Sequence, residues 1–243
     1  MSDEAVRVAT YNVHDCVGRD RRFDPERTAR VLAELDADLI ALQEVTLDAV
    51  GERVRSFEAA TGLRGIDGTL FERGVGRYGN LVLLRGTLLE SHLHDVSAHG
   101  REPRGVIELL LAADNDPLRV FATHLGLRLG ERRAQVRRLL TLLGDDTRGA
   151  VLLGDFNIWA WATPLRQLSA AGFRHVPVRS FPTRPAPIAA LDRVFARLPV
   201  TIERCWRHDS RLSRLASDHF PILAELHLAQ QAHAPVIGET LPE

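Results

Sequence analysis

The spacing of apolar positions changes several times along the chain, and each change predicts a new element. "VRVATYNV" (6–13) alternates β-branched with other residues and predicts a strand. "FDPERTARVLAELDAD" changes to helical spacing, with Val31, Leu32 and Leu35 as the apolar stripe, Asp24 as N-cap and Pro25 at the first helical position. "DLIALQEV" (38–45) is an apolar run of strand length that ends in Gln43 and Glu44, and a helix over about 47–60 follows. "GNLVLLRG" and "SHLHDV" predict strands, and "GVIELLLAA" with "LRVFATHL" predicts a hairpin across "DNDP". An amphipathic helix over 131–143 leads into the strand "GAVLLGDF" and a helix from about Pro164 to Ala171. Proline-rich "FPTRPAP" reads as a loop, "LDRVF", "VTIERCWRH" and "HFPILAELHL" as the last strands, and the tail from Gln230 as loose chain.

Strands and helices interleave, yet several connections are too short for parallel crossovers. The expectation is therefore an α/β layered fold with mixed sheets and helices outside. The 243 residues carry no repeat, linker or low-complexity block, so residues 1–229 are expected to form one domain and 230–243 a flexible tail.

The polar residues fall in a pattern of their own. Strand after strand ends in a residue that suits chemistry better than a core: Asn12, Glu44, Asn80, His124, Asp155 with Asn157, Asp192, and Asp218 with His219. In "LLGDFN" (152–157) a buried run surfaces at Gly154, and extended backbone would put Asp155 and Asn157 on one side. A plain turn is the alternative, because Gly, Asp and Asn are turn residues. Each residue alone has such a structural explanation. Gathered on one rim, they would make a site.

Composition narrows the classes. With 45% hydrophobic and 26% charged residues the chain is globular, and the net charge of −1 is no match for long duplex DNA. All 31 basic residues are arginine. Cys16 and Cys205 are too few for a disulfide framework and read as reduced, packed thiols. The acidic N-terminus runs straight into a strand and no apolar run nears the ~18 residues of a span, so a cytoplasmic location without a transmembrane segment is expected.

In order, "TYNVH", "LQEV", "GN", "THLG", "GDFN", "LDRVF" and "SDH" resemble the motifs of the endonuclease/exonuclease/phosphatase superfamily, from about residue 7 to 226. Its members include DNase I-like nucleases, abasic-site endonucleases, sphingomyelinases and inositol polyphosphate 5-phosphatases. The resemblance implies a four-layer DNase I-like sandwich of two packed mixed β-sheets flanked by helices. It also implies that Asn12, Glu44 and Asp218 help hold Mg²⁺, with Mn²⁺ as a substitute; such hard oxygen donors suit either ion. By the same resemblance Asp155 orients or deprotonates the attacking water and Asn157 donates to a phosphate oxygen. His219, held by Asp192, stands opposite the metal, and His124 contacts the phosphate or protonates the leaving oxygen. The chain departs from the abasic-site enzymes in placing His14 where they carry an acid two after the asparagine, and in having "THL" for their tyrosine motif. It is most similar to a compact bacterial branch described only as metal-dependent hydrolases.

Substrate choice rests on other side chains. Arg104 in "REPRGVIE" could aim its planar fork at a phosphate, and Asn80 sits on the same rim. Arg77, Tyr78 and Arg128 lie near it in sequence, and Trp159 and Trp161 could stack on a base, line an apolar pocket or pack a helix start. Arg132, Arg133, Arg137 and Arg138 read as a solvated helix face. The expected activity is Mg²⁺-dependent hydrolysis of a phosphodiester or phosphomonoester, small-molecule or phospholipid-type, by in-line attack of water. A DNA nuclease or repair enzyme is the alternative and a non-catalytic binding protein a further one. Nucleic acid is a possible partner but not the favoured one, and a monomer is the default.

Overall fold

In "VRVATYN" every second residue points to the same face, and that period organises the molecule. The structure is a computed structural model that describes residues 5–228 except 75, 114–116, 145, 147 and 160–162. One six-stranded sheet has the order β11-β12-β1-β2-β4-β3. Its strands are β1 (Val6–Asn12), β2 (Leu39–Asp48), β3 (Arg64–Arg73), β4 (Gly76–Leu84), β11 (Val200–Arg207) and β12 (Ile222–Leu228). The second sheet has the order β5-β6-β7-β8-β10-β9. It is built from β5 (Leu88–Asp95), β6 (Gly105–Leu111), β7 (Leu118–His124), β8 (Ala150–Asp155), β9 (Arg174–His175) and β10 (Asp192–Arg197). Both sheets are mixed: β1 and β2 are parallel, as are β7 and β8, and the other pairs are antiparallel. The helices are α1 (Pro25–Leu35), α2 (Glu52–Thr61), α3 (Leu129–Leu143), α4 (Thr163–Ala170) and α5 (Ser213–Ala216).

Alternation sorts the apolar residues into three cores. Val8, Leu39, Ala41 and Val82 of the first sheet meet Val120, Ala122, Leu153 and Val194 of the second in a core between the sheets. The neighbours that point the other way, Tyr11, Ile40 and Leu42, pack with Leu32 and Leu35 of α1 and Phe57 of α2. Phe121, Leu152 and Phe195 pack with Val136 and Leu139 of α3 and Leu168 of α4. Burial of these stripes is the dominant favourable term in folding, and it produces the expected four layers, helices outside and sheets inside. Asp24 caps α1 by accepting from the backbone N–H of Arg27 at 2.9 Å, with Pro25 at the first position as the sequence predicts.

Some element boundaries differ from the sequence reading. Residues 47 and 48 continue β2, a turn follows, and α2 begins only after Gly51, which is left-handed at φ 70°. Strand β3 was not expected, because "RGIDGTLFER" carries two glycines and reads as broken chain. Gly68 serves packing instead: a Cβ there would lie 2.2 Å from Ile107 Cδ1 on the facing sheet, so the glycine lets the sheets approach. Gly154 has a comparable reason. Its φ of 149° is open to glycine, and a Cβ would sit 1.9 Å from the carbonyl oxygen of Thr123 on the neighbouring strand. The tail from residue 230 and Trp161 lie outside the described residues.

Candidate active site

The stripes that fill the core between the sheets end in polar residues at one rim. Thr10 and Asn12 continue the phase of Val8, His124 that of Val120 and Ala122, and Asp155 that of Val151 and Leu153. Asp192 begins β10 rather than ending a strand, but β10 runs antiparallel to β8, so it arrives at the same rim. The register places Asp155 abreast of His124 on one side and of Asp192 on the other.

Glu44 reaches the rim by a local break in the pleat. In β2, Leu42 opposes Leu81 and Val45 opposes Gly79, so Gln43 and Glu44 share the space opposite Asn80. Leu42 and Val45 both face α1 and α2, and the extra residue between them is Glu44, at φ 59°. A β-bulge of this kind re-aims a side chain. It brings Glu44 Oε1 to 2.9 Å from Asn12 Nδ2, and the same nitrogen donates to Asp155 Oδ2 at 3.1 Å. Two carboxylates thus converge on one amide.

Around Asp155 the histidines close in. Its Oδ2 lies 3.6 Å from His124 Nε2 and 3.9 Å from His219 Nε2. The opposite ring nitrogen of His219, Nδ1, lies 2.7 Å from Asp192 Oδ2, which is the expected histidine–carboxylate pair. Burial opposes charge on His219, but Asp192, through its charge and hydrogen bond, with Asp155 and Asp218, outweighs burial and pushes the pKa up to about 10. His124 goes the other way. Burial pushes it down to about 4, helped by the charges of Arg104 and His219 and opposed by Asp155. Burial also raises Asp155 above the usual carboxylate range; Asp192 adds to this, while the two histidines and the Asn157 N–H pull against it. The rim therefore holds one imidazolium, one neutral imidazole and a carboxylate of raised basicity.

Two loops hold these side chains. Ser217 Oγ donates to the carbonyl of Asn12 at 2.8 Å and accepts from the backbone N–H of His219 at 3.1 Å, tying the loop before β12 to the end of β1. Ser180 Oγ accepts from the N–H of Asp192 at 3.2 Å, and the Ser180 carbonyl accepts from Phe220 N–H at 2.9 Å. Phe181, which opens the proline-rich loop, lays its ring 4.7 Å from that of His219. Sequence reasoning missed Ser180, Ser217 and Phe181, because small or apolar loop residues carry no signal until their partners are known.

Several expected residues arrive differently. Asn157 is not extended: its φ is 53° and its N–H donates to Asp155 Oδ1 at 2.9 Å, so the turn reading of "GDFN" is right about the backbone. Its Nδ2 donates to Leu125 O at 2.9 Å and lies 3.2 Å from His124 Nε2. Both amide hydrogens are thereby used within the protein, and Asn157 orients His124 rather than presenting a donor to a phosphate. Because His124 Nε2 accepts there and the ring is neutral, His219 suits proton donation better. Asn12 also has both ends engaged, since its Oδ1 accepts from His14 N–H at 3.0 Å. As found, its nitrogen holds two carboxylates together, and its oxygen accepts a single N–H with a second lone pair left over.

Asn80 is buried at the rim with Nδ2 3.4 Å from Gly105 O. Arg104 is buried, ion-paired with Glu102, and its Nε has no partner among the described residues. Asp218 is a quarter exposed, with Oδ1 3.5 Å from Ser217 Oγ and 4.0 Å from His14 Nδ1. Tyr78 is buried, and that burial, with the Glu44 charge added, raises its pKa. Arg77 alternates to the other face, where it pairs with Asp67 and lines a cavity of about 380 Å³ beside α2. Arg133, Arg137 and Arg138 are exposed as expected, but Arg132 is buried and donates to the carbonyls of Gly126 and Leu127. Trp159 is 58% exposed and meets Phe181 edge-on, so it does not pack a helix start.

The donor set fits a hard divalent cation. Glu44 has no ion-pair neighbour among the described residues except His124 at 4.0 Å, which is neutral. Glu44, Asp155, Asp192 and Asp218 outnumber the one histidine whose pKa is raised, and carboxylate oxygens in excess are what Mg²⁺ or Mn²⁺ prefers. Ligand atoms of Asp155, Asp192 and His219 also lie within 4.8 Å of one another. That trio is a poorer cation site: a protonated ring has no lone pair to give, and Asp192 is committed to it.

Residues 9–219 match the family described as the Endonuclease/Exonuclease/phosphatase family. The chain is 28% identical over 251 aligned positions to "Uncharacterized protein YbhP" of Escherichia coli (strain K12), covering 91% of this chain and 96% of that one. A solved endonuclease/exonuclease/phosphatase from Beutenbergia cavernae superposes with a TM-score of 0.76 at 23% identity, covering 92% of this chain and 72% of that one. The mannosyl-6-phosphatase of Bacteroides thetaiotaomicron superposes with a TM-score of 0.71 at 16% identity, covering 91% and 99%. Likeness at these identities speaks to fold.

Proposed function

The chain belongs to the Endonuclease/Exonuclease/phosphatase family, and on that premise we propose that it is a Mg²⁺- or Mn²⁺-dependent phosphoesterase, with residues 1–229 as one catalytic domain. The observation that carries this reading is the His219–Asp192 pair at 2.7 Å, with Asp155 3.9 Å from the other ring nitrogen of His219.

Asp155, buried and basic, takes the proton of the attacking water or aligns it. His219 remains an imidazolium because Asp192 holds its other nitrogen. It places positive charge on the phosphate oxygens and has a proton to give to the departing oxygen. Asn12 locks Glu44 beside Asp155, and Asn157 fixes the ring of His124 against the phosphate. Glu44 and Asp218 would hold the cation, with Asn12 bracing Glu44. When bound, the cation neutralises charge on the non-bridging oxygens and the leaving group. Arg104 and Asn80 would position the ester. Its guanidinium carries a buried, unpartnered Nε–H, a donor that is costly to leave unmade.

A small or phospholipid-type ester is the substrate this reading favours. Net charge is −1, and the basic residues of α3 are either solvated or turned inward to carbonyls. Replacing His219 with Ala is expected to lower kcat on bis-p-nitrophenyl phosphate at least ~10²-fold with an unchanged circular dichroism spectrum. A folded His219→Ala variant with wild-type kcat would remove the histidine from the chemistry.

A further inference from the structure

The loop that joins β5 to β6 ends where the two sheets part. The carbonyl of Gly105, the first residue of β6, accepts from Thr123 Oγ1 at 3.0 Å and lies 3.4 Å from Asn80 Nδ2. Thr123 is the neighbour of His124 and Asn80 belongs to the other sheet, so Arg104, one residue before Gly105, stands at the mouth between them. Its backbone is fixed there. The Arg104 N–H donates to Ser97 Oγ at 3.0 Å, its carbonyl accepts from Val96 N–H at 2.8 Å, and Arg138 of α3 donates to the Ser97 carbonyl at 2.7 Å.

Arg104 comes to this mouth with its charge already answered. Its side chain is buried, and Nη1 donates both to the carboxylate of Glu102 and to the carbonyl of Pro103, the latter at 3.2 Å. Glu102 is about half exposed, at 46%, and makes no other hydrogen bond among the described residues. Its charge bears on groups from three strands around the mouth: His124 of β7, Tyr78 of β4 and Arg73 at the end of β3. Tyr78 continues the phase of Val82 and Asn80, which face the gap between the sheets, and the Arg73 guanidinium stacks 4.2 Å above its ring. A carboxylate therefore stands where an ester bound by Arg104 would bring its own negative charge. Near neutral pH a phosphodiester carries one such charge and a phosphomonoester nearly two. Repulsion from a fixed carboxylate is proportional to that charge, so it is about twice as large for the monoester.

We propose that Glu102 selects singly charged phosphodiesters over doubly charged phosphomonoesters at this site, by keeping a carboxylate on the guanidinium that meets the phosphate. This rests on the phosphoesterase reading given above, and the test separates the two. Full-length wild type, Glu102→Gln and Glu72→Gln are assayed under the same Mg²⁺ on methyl p-nitrophenyl phosphate and p-nitrophenyl phosphate, which share a leaving group and differ by one methyl and one charge. Glutamine keeps the size of Glu102 and an oxygen for Arg104 Nη1, so a merely structural role predicts no change in the ratio of the two kcat/KM values. Wild type is expected to prefer the diester. Glu102→Gln should raise kcat/KM about threefold for the diester and about tenfold, near the square, for the monoester, chiefly through KM. The difference between variant and wild type should narrow as ionic strength rises from about 0.01 to 1 M. Glu72, exposed near the end of β3, is the control for surface charge, and Glu72→Gln should leave the ratio alone. An unchanged ratio in folded Glu102→Gln, an equal change in Glu72→Gln, or a wild type that prefers the monoester overturns the inference and leaves the phosphoesterase reading standing. Hydrolysis of neither ester by wild type overturns both.

Discussion

Glu44 shows how much a single residue's backbone decides here. On a regular strand it would point toward α1 and α2; the bulge and its φ of 59° turn it to Asn12 instead. The residue type was legible in "LQEV", but the bulge was not, because pairing register depends on a partner strand 30 to 40 residues away. Glu44→Gln keeps the shape and the contact with Asn12 while removing a ligand charge. Its cation requirement should rise roughly tenfold or more, with activity returning at high Mg²⁺ or Mn²⁺. A titration giving equal affinity for variant and wild type would place Glu44 outside the cation site. Asn157 carries the complementary lesson. Sequence spacing alone put it on one side with Asp155 in extended chain, whereas a hydrogen bond from its own N–H to Asp155 Oδ1 makes the turn that aims it at His124.

Among elements, legibility followed the strength of the period. The strands that carry the site were readable because an apolar stripe runs in phase into the polar residue: Val8 to Asn12, Val120 to His124, Val151 to Asp155. Strand β3 has no such stripe and was missed; its glycines accommodate the facing sheet. Strand β9 is two residues long and was also invisible, yet it holds a group with a measurable consequence. His175 accepts from Arg193 Nη1 at 2.8 Å, and burial, with the Arg193 charge added, pushes its pKa down to about 4 from an ordinary 6.5. Between those values the unfolded chain binds more protons than the folded one. The contribution of this pair is therefore fully present above about pH 6.5 and lost as pH falls toward about 4. Replacing His175 with Gln should flatten the stability profile between about pH 6.5 and 4 in urea titrations. An unchanged slope there would contradict the assignment.

At the scale of the whole molecule, the site exists because two sheets share a rim. Asn12, Glu44 and Asn80 come from one sheet, His124, Asp155 and Asp192 from the other, and the loop holding Asp218 and His219 joins them through Ser217. The order of motifs along the chain identified the architecture, but which side chains touch was not readable until the sheets were packed face to face. Substrate selection is the part least written in the motifs: Arg104 and Asn80, the proposed contacts, are buried side chains at the rim, and Trp159 stands exposed beside Phe181. The central claim is that this rim hydrolyses phosphate esters through Asp155. Its most direct measurement is cation-dependent turnover of one panel under the same Mg²⁺: bis-p-nitrophenyl phosphate, glycerophospholipids, inositol phosphates, single-stranded DNA, plasmid and abasic duplex. Wild type is set beside Asp155→Ala. The account predicts turnover of small or lipid esters that vanishes on chelation and in Asp155→Ala, with poor activity on duplex DNA and a shallow salt slope for any duplex binding. Ester hydrolysis that survives in folded Asp155→Ala, or no hydrolysis of any member by wild type, would contradict it.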